Sequence, residues 1–471
     1  MNKSAYKTFL DTVHGYILVP EAYCDKIIDT ENFQRLRRIE QLSSRSLFPC
    51  ARHDRFVHSL GVYHIGCKFV AAIEGQYNNL EPSVINSFLL ACLLYDCGHS
   101  PFSHTLEDLF GKPKELYYEY RKYVDDEELQ QIDIEVGYDT KPHEIISALL
   151  CVTTYGQVIK DLGGNSTLVG RMIMGIKYKD SFHSLENCFI ELLHGDIIDA
   201  DKFDYVCRDK WASGYQSNSV DVDRIINSII LLKEGNTYRV AYSKNALYEI
   251  QALIDNKNFQ QNWVFKHRQV VYEQKIFKDC VKKLIESLRD NGVTHAKQLF
   301  DYHSFFEPIE VGTDINIYML ADDDIVYLLK KFLPNDPLFK EWFSRQYSYF
   351  PIWKTYSEMR ALLGEELSEK LLYDVGGIYD KIESRLKEKY SVDVFSITQT
   401  PKIKGVEANK IFIYFNKETI VDFVNLGMPK ILNLYDKQIF KYIFIHKDLV
   451  CDRLRIIEFI KDIIENHQKF K

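Results

Sequence analysis

Histidines, carboxylates and one arginine gather in four segments of the chain: RHDRFVHSLGV at 52–62, LLYDCGHSPFSHTLEDLF at 93–110, KPHE at 141–144 and IDADKFDYVCRD at 198–209. These residue types suit metal-assisted phosphate chemistry. Imidazole and carboxylate are ligands for divalent cations, guanidinium matches phosphate oxygens in a planar fork, and imidazole moves protons near neutral pH. Arg55 and His58 stand one helical turn apart, so a phosphate-binding cation and a metal-binding imidazole can point to one place. Asp201, Tyr205 and Asp209 recur at i, i+4 and i+8. Such a stripe needs metal, substrate or side-chain partners if buried, and is a solvated face if exposed. After the apolar run that ends in Asp96, Gly98 permits a turn, and Ser100-Pro101 predicts the cap and first residue of a new helix. That would set His104 among free backbone N–H groups that favour an anion. The plainer reading is a helical connection with incidental histidines.

The elements that must position these residues read as helical. Apolar residues at i, i+3 and i+4 predict helices over roughly 31–42, 55–73, 83–96, 101–110, 143–154, 183–209, 219–233 and 244–290. The first thirty residues, with His14-Gly15 between β-formers, predict a hairpin or extended arm. The stretch 112–142, dense in charge and tyrosine, reads as an inserted surface segment. Past residue 300 the texture changes, and KIFIYF at 410–415 and FKYIFIH at 440–446 predict strands. The expected organisation is an arm at 1–30, a mainly α-helical domain at 31–300, and a smaller α+β region at 301–471 with a role in subunit contacts or allostery.

Composition narrows the function classes. An apolar share of 46% with 27% charged residues over 471 residues describes an ordinary globular chain. The ten cysteines stand singly, which predicts buried reduced thiols in a cytoplasmic protein rather than disulfides or a zinc knuckle. The apolar run at 88–94 is too short to span a bilayer, and no membrane partner is expected. A net charge of -8 argues against a nucleic-acid surface, although QRLRR at 34–38 could hold a small polyanion.

Taken together, HGYI, DTENFQRLRRIEQL, RFVHSLGV, DCGHSPFSH and DADKFDYVCRD resemble the blocks of HD-domain phosphohydrolases, in particular the branch of SAM-and-HD-domain deoxynucleoside triphosphate triphosphohydrolases and their bacterial relatives. The resemblance covers roughly residues 5–290. It implies a helical HD core in which His58, Asp96 and Asp201 are metal ligands, Arg55 contacts the triphosphate, and His99, His104 and His143 contact phosphate or supply the acid for the leaving oxygen. The implied reaction is attack of a cation-activated water on the α-phosphorus, releasing a deoxynucleoside and inorganic triphosphate. It further implies that Gln41, Leu42, Lys202, Tyr205 and Asp209 bind the substrate, with Asp209 on the 3′-hydroxyl, and that Tyr272 packs beneath the sugar. Tyr272 reads equally as a core aromatic, and Glu273 follows it where the vertebrate enzyme has an amide. Asp29, Gln34 and Arg37 match an allosteric site at which GTP or a dNTP would bind between subunits of a homo-oligomer, a dimer, tetramer or larger. QRLRR reads equally as a helix with a basic outer face. Lys402 and Lys404 lie in a basic stretch that could meet phosphates or be a solvated loop.

The sequence also departs from the family at the metal-binding doublet: His-Asp is here Tyr95-Asp96. Imidazole is a good ligand for Mn, Fe, Ni or Zn, whereas a phenol with a pKa of about 10 binds metal well only as phenolate, which favours ferric iron, so the change weakens the site; Fe, Ni or Zn could still bind, and Mg or Mn bridged to substrate phosphates needs fewer protein ligands. Tyr95 could ligate through oxygen, the remaining ligands could suffice, or the site could have become a nucleotide sensor. An HD phosphodiesterase acting on another nucleotide is the third reading.

Overall fold

The computed structural model describes residues 5–43, 47–77, 80–135, 138, 140–312, 315–374, 377–390, 395–398, 411–416, 419–426 and 441–466. Two compact units divide the chain: residues 1–257, 281–332 and 407–428 form the first, and 258–280, 333–406 and 429–471 the second. The expected single boundary at 300 is thus replaced by an interleaved division. The second unit takes part of a long helix, and the first takes back a stretch beyond residue 400.

The first unit opens with the expected arm, an antiparallel hairpin of Tyr6–Asp11 and Gly15–Pro20 in which Asp11 pairs with Gly15 and Tyr6 with Pro20. Its helical core carries Arg55–Glu74, Pro82–Leu94, Pro142–Val152, Ser166–Met174, Ser184–Leu193 and Ala200–Ser213. Arg55–Glu74 is long and apolar enough by composition to cross a membrane, longer than the 88–94 run suggested. Two thirds of its most apolar stretch is buried in the unit, and its first turn carries the buried Arg55 and His58. None of the ten cysteines forms a disulfide. Most are buried, as the sequence led us to expect, but Cys50 and Cys451 are exposed.

Several expected helices are shorter or different, each for a local reason. The segment 31–42 winds only through Glu31–Gln34 and a tighter turn at Arg35–Arg38, because Glu40 and Gln41 leave to pair with Asp54 and His53. The helix expected at 101–110 is absent. Phe102 and Ser103 take left-handed φ values of +56° and +50°, which no α-helix accommodates, so only short tight turns form at Ser103–Thr105 and Glu107–Leu109. His104 therefore does not sit at a helix N-terminus. The span 183–209 breaks at 194–199, where Asp199 starts a fresh helix by accepting the Lys202 N–H at 2.7 Å. The span 219–233 yields a short helix, Val222–Ile226, and then the strand Ile229–Glu234, whose apolar residues pair with Thr237–Ser243. That pair joins Phe412–Asn416 and Thr419–Asp422 in a four-stranded sheet. The span 244–290 forms two helices, Leu247–Gln260 and Arg268–Asp290. Finally, the charged insert is more than a solvated segment. It contains Pro113–Arg121 and Glu127–Gln131, buries Leu116, Tyr117, Tyr120 and Leu129, and supplies Asp126 and Glu128 to the buried Arg171.

The second unit is α+β. Tyr349–Pro351, Lys441–His446 and Phe395–Thr398 form a sheet with Lys441–His446 central, and the strand expected at 440–446 is this one. Helices including Tyr356–Leu363, Ile378–Tyr390 and Arg453–Asn466 accompany it around Trp353, Ile443 and Ile460. Lys402 and Lys404 lie outside the described residues.

Candidate functional site

Two helix starts and one irregular turn assemble the site in the first unit. Asp54 caps Arg55–Glu74 by accepting the Val57 N–H at 3.1 Å, which fixes the first turn that carries Arg55 and His58. Asp199 does the same for Ala200–Ser213, whose first turn carries Asp201. These helices approach closely at Gly61, where a Cβ would lie 1.8 Å from Asp204 Oδ1. Gly98 plays the same part in the turn after Asp96: a Cβ there would lie 2.4 Å from the Ser147 nitrogen, so only glycine lets the turn rest on the Pro142–Val152 helix.

The fully buried His58 is the centre of the first cluster. Its Nδ1 lies 2.7 Å from Asp204 Oδ2, and its Nε2 lies 3.0 Å from Asp201 Oδ1 and 3.4 Å from Asp96 Oδ2. Burial opposes a charge on this imidazole, but the carboxylates of Asp96, Asp201 and Asp204 prevail and raise its pKa to about 10. Asp204 is itself held in place. It accepts from Arg208 through both oxygens at 2.8 Å and meets His14 Nε2 at 2.6 Å, while Arg208 also donates to Asp11 at 2.7 Å. Burial would raise the Asp204 carboxyl, yet Arg208, His14 and His58 hold it well below the usual carboxylate range. With Asp204 accepting at Nδ1, His58 is oriented to offer Nε2 to a cation. Asp96 Oδ1 is buried without a hydrogen-bond partner, and its Oδ2 accepts from Arg55 Nη1 at 2.7 Å. An imidazole, two carboxylates with a free oxygen between them and an oriented third carboxylate fit a divalent cation.

Tyr95 does not join that set as the ligand considered for it. Its hydroxyl donates to Glu144 Oε1 at 3.0 Å and lies 3.3 Å from His194 Nδ1. Burial, then the charges of Glu144, Asp201, Asp199 and Asp96, push its pKa well above the usual phenol value, so the side chain stays a neutral donor.

The second cluster joins two histidines through a carboxylate and stacks a third on one of them. Glu107 lies 2.8 Å from His104 Nδ1 and makes a very short contact with His143 Nδ1. Burial would raise the Glu107 carboxyl, but the two imidazoles hold it well below its usual range. The His99 ring stacks on that of His143, with centroids 3.8 Å apart and 16° between planes. His99 is fully buried, and burial followed by the Arg55 charge pushes its pKa well below the usual value, so it is neutral. Nitrogens of His99, His104 and His143 lie within 4.8 Å of one another. They do not suit a shared cation, because ring lone pairs lie in the ring plane and those of two nearly parallel stacked rings cannot converge on one ion. Their geometry suits an anion better: the His104 side chain is half exposed, with Nδ1 turned to Glu107 and Nε2 available.

Among the substrate-binding residues implied by resemblance, Gln41 and Asp209 are linked through His53. The Gln41 N–H donates to the His53 carbonyl, and His53 Nε2 lies 2.7 Å from Asp209 Oδ1. Leu42 is buried, and Tyr205 shares the helix of Asp201 and Asp209. Lys202 turns its ammonium to Asp199 and the Gly195 carbonyl. Tyr272 belongs to the second unit, where it is buried against Phe444 and Tyr347 and donates to Glu341. In the first unit Gln34 accepts from Arg37 Nε at 2.9 Å, Arg37 stacks on Phe56, and Asp29 meets Lys7 at 3.2 Å. The sequence reading missed Glu107, Asp204, His14, His53, Glu144 and His194 as site residues. Several stand inside the quoted segments, and the signal that could have found them was the need of each histidine for a partner at its second nitrogen.

In sequence the chain is a distant relative of HD domain-containing proteins and of deoxynucleoside triphosphate triphosphohydrolases. No protein-family model matches the chain. It is 28% identical over 308 residues to an HD domain-containing protein of Acanthamoeba polyphaga mimivirus, covering 60% of each. It is 27% identical over 312 residues to the deoxynucleoside triphosphate triphosphohydrolase SAMHD1 homolog of Dictyostelium discoideum, covering 63% of this chain and 51% of that one. The match thus spans about half to three fifths of these relatives. In fold it is similar to a crystal structure of a phosphohydrolase from Bacteroides thetaiotaomicron, with a TM-score of 0.64 and 19% identity over 94% of this chain and 99% of that one.

Proposed function

We propose that the chain is a metal-dependent deoxynucleoside triphosphate triphosphohydrolase that converts dNTP to deoxynucleoside and inorganic triphosphate. The observation that carries this reading is the buried His58, faced by Asp96, Asp201 and Asp204, beside Arg55 and a Glu107-bridged pair of histidines. His58, Asp96 and Asp201 would hold Mg or Mn, which supplies the Lewis acidity for attack by water at neutral pH. Arg55, kept in place by Asp96 and Ser103, binds the polyphosphate. His99, neutral and stacked on His143, packs the wall of the phosphate site without adding charge. His104 donates a proton from Nε2 to the 5′-oxygen as the phosphorus–oxygen bond breaks; burial lowers its pKa, and Glu107 opposes that shift. The carboxylate of Asp209, steadied by His53, accepts the 3′-hydroxyl hydrogen bond. In this reading the protein is a cytoplasmic homo-oligomer, and GTP or a dNTP at Asp29, Gln34 and Arg37 regulates it.

The neutral Tyr95, bonded to Glu144 where the family carries a histidine, favours one competing reading, a nucleotide sensor without turnover. Both are separated by incubating the protein with each dNTP and NTP, with Mg or Mn and with GTP or a second dNTP as activator. Release of nucleoside and triphosphate is expected. Saturable nucleotide binding without turnover under every pairing would establish the sensor instead.

A further inference from the structure

The turn that carries His104 is held from a distant part of the chain. Phe102 and Ser103 are consecutive non-glycine residues in the left-handed region, a conformation that persists only where the surroundings fix it. The fixing group is Asp322, buried at the start of the Asp322–Phe332 helix. Its Oδ1 accepts the Phe102 N–H at 2.7 Å, 220 positions away, and its Oδ2 accepts the Glu40 N–H at 3.0 Å. The two backbone segments it joins meet again through Ser103, whose hydroxyl donates to the Glu40 carbonyl at 2.7 Å. That same hydroxyl accepts from Arg55 Nε at 3.0 Å. A parallel tie runs through Arg35, which donates to the Leu320 carbonyl at 2.8 Å and to the His99 carbonyl at 2.6 Å.

We propose that Asp322 is a positioning residue of the phosphate site: it clamps the left-handed Phe102–Ser103 turn and, through Ser103, sets the guanidinium of Arg55 and the imidazole of His104 for substrate. Nothing in the run Asp322-Asp323-Asp324 singles out its first member, and Asp323 is 81% exposed with only a long contact to Arg38. The proposal rests on the phosphohydrolase reading for the identity of the substrate, but the clamp itself is measurable without turnover.

The test compares the native protein with Asp322→Asn and Asp323→Asn. An asparagine places a donor where one of the two N–H groups needs an acceptor. Amide hydrogen exchange at Phe102 and Glu40 is expected to speed up in Asp322→Asn alone. With it, the affinity for inorganic triphosphate and the kcat on nucleotide should each fall by about tenfold or more, as for other residues that orient a ligand-binding group. Unchanged protection at Phe102 and Glu40 would overturn the clamp, and so would faster exchange with triphosphate affinity and kcat intact. A native protein that binds triphosphate but turns over no nucleotide would sink the phosphohydrolase reading and leave the exchange and affinity arms to decide the clamp. Should Asp322→Asn fail to fold, Ser103→Ala cuts the link to Arg55. It also removes the bond from the Ser103 hydroxyl to the Glu40 carbonyl, while both hydrogen bonds to Asp322 stay. The same expectation holds for triphosphate affinity, and an unchanged affinity would overturn the proposal.

Discussion

At position 95 a phenol and an imidazole do different work. The imidazole of the family pattern would offer a lone pair to a cation, whereas the Tyr95 hydroxyl donates to Glu144 beside His194. In the proposed function, His58, Asp96 and Asp201 hold the cation without Tyr95 and His104 delivers the proton. Replacing His104 by Gln keeps the side chain polar and removes the transferable proton. The expected result is a loss of kcat of about 10² to 10⁴ with KM little changed. A change confined to KM in steady-state kinetics would show instead that His104 only binds phosphate. The histidines, aspartates and arginine gathered in the two clusters were legible in the sequence because their chemistry lies in their type. Their partners were not, because Glu107 and Asp204 read as ordinary helical carboxylates until the histidines beside them are placed.

The elements that hold the site depend on contacts with little local signature. Helix starts were legible where Asp or proline marks them, as at Asp54 and Pro142. The turn at 101–110 was not, because a left-handed Phe102–Ser103 pair is stabilised by Asp322 and no local rule anticipates it. Likewise, Ile229–Glu234 follows helical apolar spacing but pairs with its neighbour as a strand. The closest element contact is at Gly61, where the Arg55–Glu74 and Ala200–Ser213 helices meet over Asp204. Gly61→Ala would force the Asp204 carboxylate away from His58. It should cost about 1–3 kcal/mol of stability by overpacking, together with a drop in Mn affinity of about 10- to 100-fold. Thermal unfolding and metal titration read the two effects separately, and a stable variant with native Mn affinity would show that Asp204 does not orient His58.

On the scale of the whole molecule, the helical class, the N-terminal hairpin and the late strands were legible from periodicity, while the division into units was not. Chain order suggested one break near 300, yet the first unit reclaims residues 281–332 and 407–428. Such interleaving depends on long-range packing, which periodicity does not record. It changes the place of two residues in particular. Asp322, read as part of the C-terminal region, reaches the turn that carries His104, and Tyr272, read equally as a sugar contact and a core aromatic, lies in the core of the second unit. The account's central claim is that all of the first unit's site chemistry acts at the α-phosphorus. It is tested most directly by running the reaction with Mn in ¹⁸O-water and examining the products by mass spectrometry. The account predicts a single ¹⁸O in inorganic triphosphate, none in the deoxynucleoside, and no product at all from Asp201→Asn. Label in orthophosphate or pyrophosphate, or turnover that survives Asp201→Asn, would contradict it.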